Sequence, residues 1–127
     1  MSKTVQWCVI FVLISQTIIP AQGWGPATNL GPNINTSSIE AGSSITVDSS
    51  ELYFTSDRAG GQGSYDIWVS EYNNGWQTPT NLGGNINTSG YDLAPSISSD
   101  GTRLYFSSNR PGGFGSFDNG QNPACRW

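Results

Sequence analysis

The side chains able to do chemistry are few, and they recur at matched positions. Arg58 leads the glycine-rich stretch Arg58-Ala59-Gly60-Gly61-Gln62-Gly63-Ser64-Tyr65-Asp66, and Arg110 leads its twin, Arg110-Pro111-Gly112-Gly113-Phe114-Gly115-Ser116-Phe117-Asp118. A glycine-rich loop can cradle phosphate with its amides, but that chemistry uses a Lys-Ser/Thr ending and a following helix. Both loops lack the ending. The structural reading is stronger: the glycines allow a tight loop, and each guanidinium pairs with a nearby carboxylate, locking the loop to the next strand. Asp66 is the expected partner of Arg58, and Asp118 that of Arg110. Because the arrangement occurs twice, it reads as scaffold and not as a single active site.

Six aspartates, Asp48, Asp57, Asp66, Asp92, Asp100 and Asp118, raise the question of calcium or of a glycosidase carboxylate pair. None has the alternating acidic spacing of a calcium loop, and Asp48 and Asp100-Gly101 sit where turn chemistry explains them. We therefore expect no metal, no cofactor and no catalytic residue. The chain has no histidine, which removes Ser-His and Cys-His catalysis and imidazole switching. Five Lys/Arg against nine Asp/Glu, a formal charge of −4, argue against a nucleic-acid partner. Trp24, Trp68 and Trp76 could be sugar-stacking platforms, but their strand positions favour packing between sheets. The polar runs Asn33-x-Asn35-Thr36-Ser37 and Asn85-x-Asn87-Thr88-Ser89 could form a ligand-facing rim. Side-chain bonding that fixes an irregular crossover is the preferred account.

These residues are positioned by one unit written twice. Placing Trp24 on Trp76 aligns the rest at a constant offset of 52 residues, with 23 identities over the 43 positions from Trp24 to Asp66. A period near 50 built from strands indicates propeller blades or a related β array. Sixteen Gly and seven Pro fit such a turn-rich β protein. The segment from Pro95 to Ser98 leads into Asp100-Gly101, read as a tight hairpin with positive φ at both central residues. Arg103 to Ser108 then follows as a strand with Leu104 and Phe106 on one face and Tyr105 on the other, so that both faces need cover. In the first unit, Tyr65 to Glu71 is a further strand, and Asn73-Asn74-Gly75 turns the chain back into Trp76. No apolar run after Gly23 has helical spacing.

The first 23 residues read differently. Lys3 precedes the apolar run Val5 to Ile14, Pro20 breaks the segment, and Ala21-Gln22-Gly23 offers small residues for cleavage after Gly23. The expectation is a signal-peptide helix, too short for a spanning anchor, so that the membrane is met only through an uncleaved signal. Removal would leave 104 residues with charge −5 and no lysine. Cys8 leaves with the leader, and Cys125 alone makes no disulfide framework.

The strings Pro95-x-Ile97-Ser98-x-Asp100-Gly101-x-x-Leu104-Tyr105-Phe106-Ser107-Ser108-Asn109-Arg110-Pro111-Gly112-Gly113 and Tyr65-Asp66-Ile67-Trp68-Val69-Ser70 resemble the bacterial WD40-like propeller repeats of the TolB type. Such repeats occur in exported propellers and beside OmpA-like envelope domains. The resemblance implies an all-β propeller segment, exported to the periplasm, cell envelope or extracellular space. Its implied role is that of a non-catalytic scaffold for an envelope protein or a cell-wall or extracellular polymer. A carbohydrate-binding or glycoside-hydrolase-like propeller is the alternative from another class, and an incomplete fragment without independent function is a third. The expected organisation is a signal peptide over 1–23, units over 24–75 and 76–118, and a divergent tail over 119–127, where Ile67-Trp68-Val69-Ser70 finds no counterpart. That amounts to one full four-stranded blade plus partial blades, with self-association as a route to completing the ring.

Overall fold

The computed structural model describes residues 25–112. The leader with Gly23, Trp24, the Gly113, Gly115 and Asp118 motif positions, and the tail lie outside the described residues. Among the described residues there are only strands and turns: β1 (Glu40–Ile45), β2 (Glu51–Ser56), β3 (Asp66–Glu71), β4 (Thr80–Asn81), β5 (Asp92–Ile97) and β6 (Leu104–Ser108). Over these residues the expected all-β architecture is met. The first four strands form one antiparallel sheet in sequential order, and β5 and β6 form a second, two-stranded sheet.

Strand chemistry explains the first sheet. In β2, Leu52 and Phe54 point to one face, where Phe54 lies opposite Trp68 of β3; Tyr53 and Thr55 point to the other, opposite Val69 and Ile67. Leu52, Phe54, Trp68 and Ile34 make one buried cluster with Trp76 packed against it. Ile67, Ile86 and Leu104 make a second cluster, flanked by Tyr53, Leu82, Ile97 and Phe106, and this one joins the two sheets face to face. Burial of a side chain such as Phe54 or Ile67 contributes about 2 kcal/mol, so the core depends on both faces of β2 and β3. Trp68 and Trp76 pack in the first cluster, on the face of the first sheet turned away from the second, and not between the two sheets as expected.

Three further sequence expectations are corrected. The Asp100-Gly101 turn is not a two-residue hairpin with positive φ at both positions. Of its two central residues only Gly101 (φ 70°) is left-handed, and Gly101 N–H closes a turn onto the Ser98 carbonyl at 2.8 Å. The aspartate instead ties down the loop, as described below. Next, β5 begins earlier than the sequence suggests, at Asp92, as its counterpart β1 begins at Glu40. Each pairs through an irregularity, between Ala41 and Ser43 and between Leu93 and Ser96. Pro95 sits in the second irregularity, where its missing N–H does no harm to a ladder. Finally, β6 is not covered on both faces: Leu104 is buried, but Tyr105 is 50% exposed. Its counterpart Tyr53 is covered because the second sheet lies on it.

Candidate functional site

The two arginines are the centres of two polar nodes, each tying a loop to a strand. Arg58 Nη2 lies 3.2 Å from Glu40 Oε1. It also donates to the Ile34 carbonyl at 2.9 Å, while Nη1 donates to Asn33 O at 3.1 Å and Nε to Ser56 Oγ at 3.2 Å. The guanidinium lies over the Phe54 ring, 4.8 Å from its centroid, and 5.5 Å from the Trp68 ring. Arg110 repeats the pattern. Nη2 reaches Asp92 Oδ1 at 3.1 Å and the Ile86 carbonyl, Nε donates to Ser108 Oγ at 2.9 Å, and the guanidinium covers Phe106 at 5.2 Å. Planar, forked and weakly hydrated, a guanidinium is the side chain suited to such a half-dry position between a ring and a carboxylate.

One expected pairing is overturned: Arg58 binds Glu40, not Asp66. Arg110 binds Asp92, and its expected partner Asp118 lies outside the described residues. Asp66 still locks the Arg58 loop to β3, but through amides: its Oδ2 accepts from Gln62 N–H at 3.0 Å and Gly63 N–H at 3.2 Å. Its Oδ1 is buried without a hydrogen-bond partner. The acids that bind the arginines lie 18 residues before them and 52 residues apart. A search for aligned acids of either type, not identities alone, would have found them. Thr36 and Thr88, identical across the units, hold these acids in place: Thr36 donates to Glu40 and Thr88 to Asp92 through both amide and hydroxyl. Burial alone would raise the Glu40 carboxyl, yet the Thr36 donors and Arg58 together hold it below its ordinary value.

The hairpin aspartates behave alike. Asp48 Oδ1 accepts from the Thr46 hydroxyl at 2.7 Å and from Ser50 through hydroxyl and amide, at 2.7 and 3.1 Å. Asp100 Oδ1 accepts from the Ser98 hydroxyl at 2.5 Å and from Thr102 through amide and hydroxyl, at 3.1 and 2.8 Å. These donors push both carboxyls down to about 2, and both residues are solvent-exposed. The two hairpins border one open cavity of 350 Å³. A carboxylate pair doing acid/base work needs one member kept protonated; here both are held anionic. Because each is lowered from 3.8 in the folded state, its stabilising effect is present above the unfolded value and fades as pH falls through the folded one. Stability should therefore drop between about pH 4 and pH 2, and the Asp48→Asn/Asp100→Asn double variant should show a shallower fall in melting temperature over that window. An identical acid profile in the double variant would refute this role.

The polar connectors are also built into the scaffold. Asn87 Oδ1 accepts from Ile67 N–H at 2.8 Å and Asn87 Nδ2 donates to Ile67 O at 2.9 Å, so its amide pairs with β3 as a strand residue would. Asn33 Nδ2 donates to Trp76 O at 2.7 Å. Of the loop glycines, Gly60 and Gly61 lie in the β2–β3 connection and Gly112 closes the described residues. At Gly63 a Cβ would press on the backbone of Thr88, Ser89 and Gly90. That is also where Ser64 N–H donates to Gly90 O at 2.9 Å and the Tyr65 and Tyr91 rings stack at 5.7 Å. Backbone on both sides cannot swing aside, so Gly63→Ala is expected to cost about 2 kcal/mol in urea unfolding. A loss near zero would show that this contact is loose.

Among the described residues no group of three metal-ligating side chains converges, and no helix is long and apolar enough to cross a membrane. The hydrogen bonds and ion pairs of these residues described above go to this chain's own backbone and side chains. No family model matches the chain, and no curated protein matches it.

Proposed function

We propose that this chain is an exported, non-catalytic β-propeller segment that serves at the cell envelope as a scaffold binding an envelope protein or a cell-wall or extracellular polymer. The observation that carries the reading is the duplicated node. Arg58 with Glu40, and Arg110 with Asp92, tie each Arg loop to the strand that opens its own sheet, with the same donors 52 residues apart. Residues used twice for the same backbone-fixing task favour architecture over a unique reaction centre. A sequential four-stranded antiparallel sheet with a second sheet laid on its face is the arrangement neighbouring propeller blades adopt. The hairpin carboxylates, both held anionic, favour binding over acid/base turnover. Export rests on the leader sequence, and the processed protein should begin at Trp24.

The test is co-sedimentation of the purified protein with insoluble cell-wall polymer, alongside a panel of chromogenic glycosides. Saturable pelleting or saturable capture by a purified envelope protein, without glycoside turnover, is the expected result. Turnover abolished by Asp48→Asn or Asp100→Asn would overturn the non-catalytic reading.

A further inference from the structure

The contact between the two sheets has two sides, and the chain carries a second, unused example of each. On one side, the first sheet presents Tyr53 and Ile67; on the other, Leu82, Ile86, Ile97 and Leu104 receive them. Two hydrogen bonds cross the same seam: Ala94 N–H donates to Thr55 Oγ1 at 3.1 Å, and Ile97 N–H donates to Ser44 Oγ at 3.0 Å.

Shifted by 52 residues, Tyr53, Thr55 and Ser44 become Tyr105, Ser107 and Ser96, on the outer face of the second sheet. Shifted back by 52, Leu82, Ile86, Ile97 and Leu104 become Leu30, Ile34, Ile45 and Leu52, on the outer face of the first. Over these seven positions the residue types are identical except that Ser107 replaces Thr55, which keeps the hydroxyl; Ile67, the other member of the first sheet's side, maps to Asn119, outside the described residues. Ile34 and Leu52 are already buried in the first sheet's own cluster, but three of the large apolar or aromatic positions stay open. Leu30, Ile45 and Tyr105 are 44%, 47% and 50% exposed, whereas their counterparts Leu82, Ile97 and Tyr53 are packed against the second cluster. Leu30, Ile34, Leu52 and Phe54 border an open groove of 290 Å³ at the position where the internal seam would recur.

We propose that copies of this chain associate head to tail, the Tyr105 face of one packing into the Leu30–Ile34–Leu52 groove of the next and reproducing between chains the seam made within each. The occupant is specified by the surfaces: a second copy supplies the same tyrosine and the same hydroxyls that already fit this set of aliphatic residues. Because the two faces differ, the contact is heterologous, giving a closed ring if the rotation closes and a growing chain if it does not. The inference rests on the stacked-sheet part of the proposed function and not on its binding partner.

The test is the mass in solution of the protein, purified as the expressing cell delivers it, across a wide concentration range. Wild type is expected at a mass at least twice that of one chain. Ile45→Arg places a charge beside Leu52 on the face that holds the groove, and Tyr105→Arg blocks the opposite face, so each variant alone should fall to the mass of one chain. Mixed together they should form a two-chain species that grows no further, because one intact groove meets one intact tyrosine face. Both positions are half exposed, so each variant should keep the wild-type β-sheet circular dichroism; if Ile45→Arg does not, Leu30→Glu takes its place. A single-chain mass for folded wild type, a variant that assembles like wild type, or a mixture that stays at single-chain mass would each overturn the proposal. Polymer binding by a single-chain wild type would overturn this pairing and leave the proposed function standing.

Discussion

Arg58→Ala is expected to lower folding stability by about 3 kcal/mol, measured by urea unfolding with unchanged slope. The arginine and glutamate side chains of the pair are 12% and 14% exposed, so the pair is largely dry. Removing one partner of a buried pair costs more than the pair itself contributes, because the remaining charge keeps its desolvation penalty. Glu40 would retain the Thr36 donors but lose its counter-charge. The carbonyls of Asn33 and Ile34 would lose donors as well, and the Phe54 and Trp68 rings their cationic cover. The residual exposure places the loss toward the lower end of the range for buried pairs. Arg58→Lys should recover part of it, since an ammonium restores charge but not the fork that reaches a carboxylate, two carbonyls and a hydroxyl together. A loss below about 1 kcal/mol would mean that Arg58 behaves as a surface ion pair and that the node does not hold the loop. Glu40 carries the same sign of linkage as the hairpin aspartates: its carboxyl is held low in the folded state, so its contribution fades on acidification. That part of the acid response should shrink in Arg58→Ala.

Asn87→Ala should have an effect of similar size, about 3 kcal/mol, while Asn35→Ala, at the same place in the same motif, should stay within about 0.5 kcal/mol. Asn87 is 1% exposed, and Ile67, whose N–H and C=O it pairs, is fully buried. Its Nδ2 also donates to Asn81 Oδ1 at 3.0 Å, and Asn81 Oδ1 in turn accepts from Gly83 N–H at 2.9 Å. Deleting the amide would strand the Ile67 N–H where water has no ready access, at a cost of about 1–3 kcal/mol, and would leave the Ile67 carbonyl with the Leu82 N–H alone, at 3.2 Å. Asn35 is exposed and has no comparable burial to lose. Matched chemical unfolding of the two alanine variants decides the matter: equal losses would show that Asn87 is not acting as a surrogate strand residue.

Much of this was legible because it is local. Strand alternation in Leu52-Tyr53-Phe54, the Asn-Asn-Gly turn before Trp76 and the duplicated Arg-Gly loops depend on neighbours a few residues away. The offset of 52 residues carried the rest, since a contact found once is found again: Asp57 and Asn109, different residues at matched positions, both accept from the amides just ahead of β1 and β5, those of Ile39 and Tyr91.

The choice of partner was a different matter. Asp66, eight residues after Arg58, looked the natural acid by proximity in the chain. The β1–β2 pairing instead sets Glu40 opposite Ser56, beside the guanidinium, and frees Asp66 for the loop amides. Two residues distant in sequence become neighbours only when a ladder forms between their strands, and no local preference encodes that distance. The same limit explains Tyr53 and Tyr105, or Asn87 and Asn35: identical residues in identical motifs, one covered and one exposed. Composition and pattern determined that this chain would be β, turn-rich and doubled. Which of its matched residues lie dry, and which face outward, was decided by the single seam along which its two sheets meet.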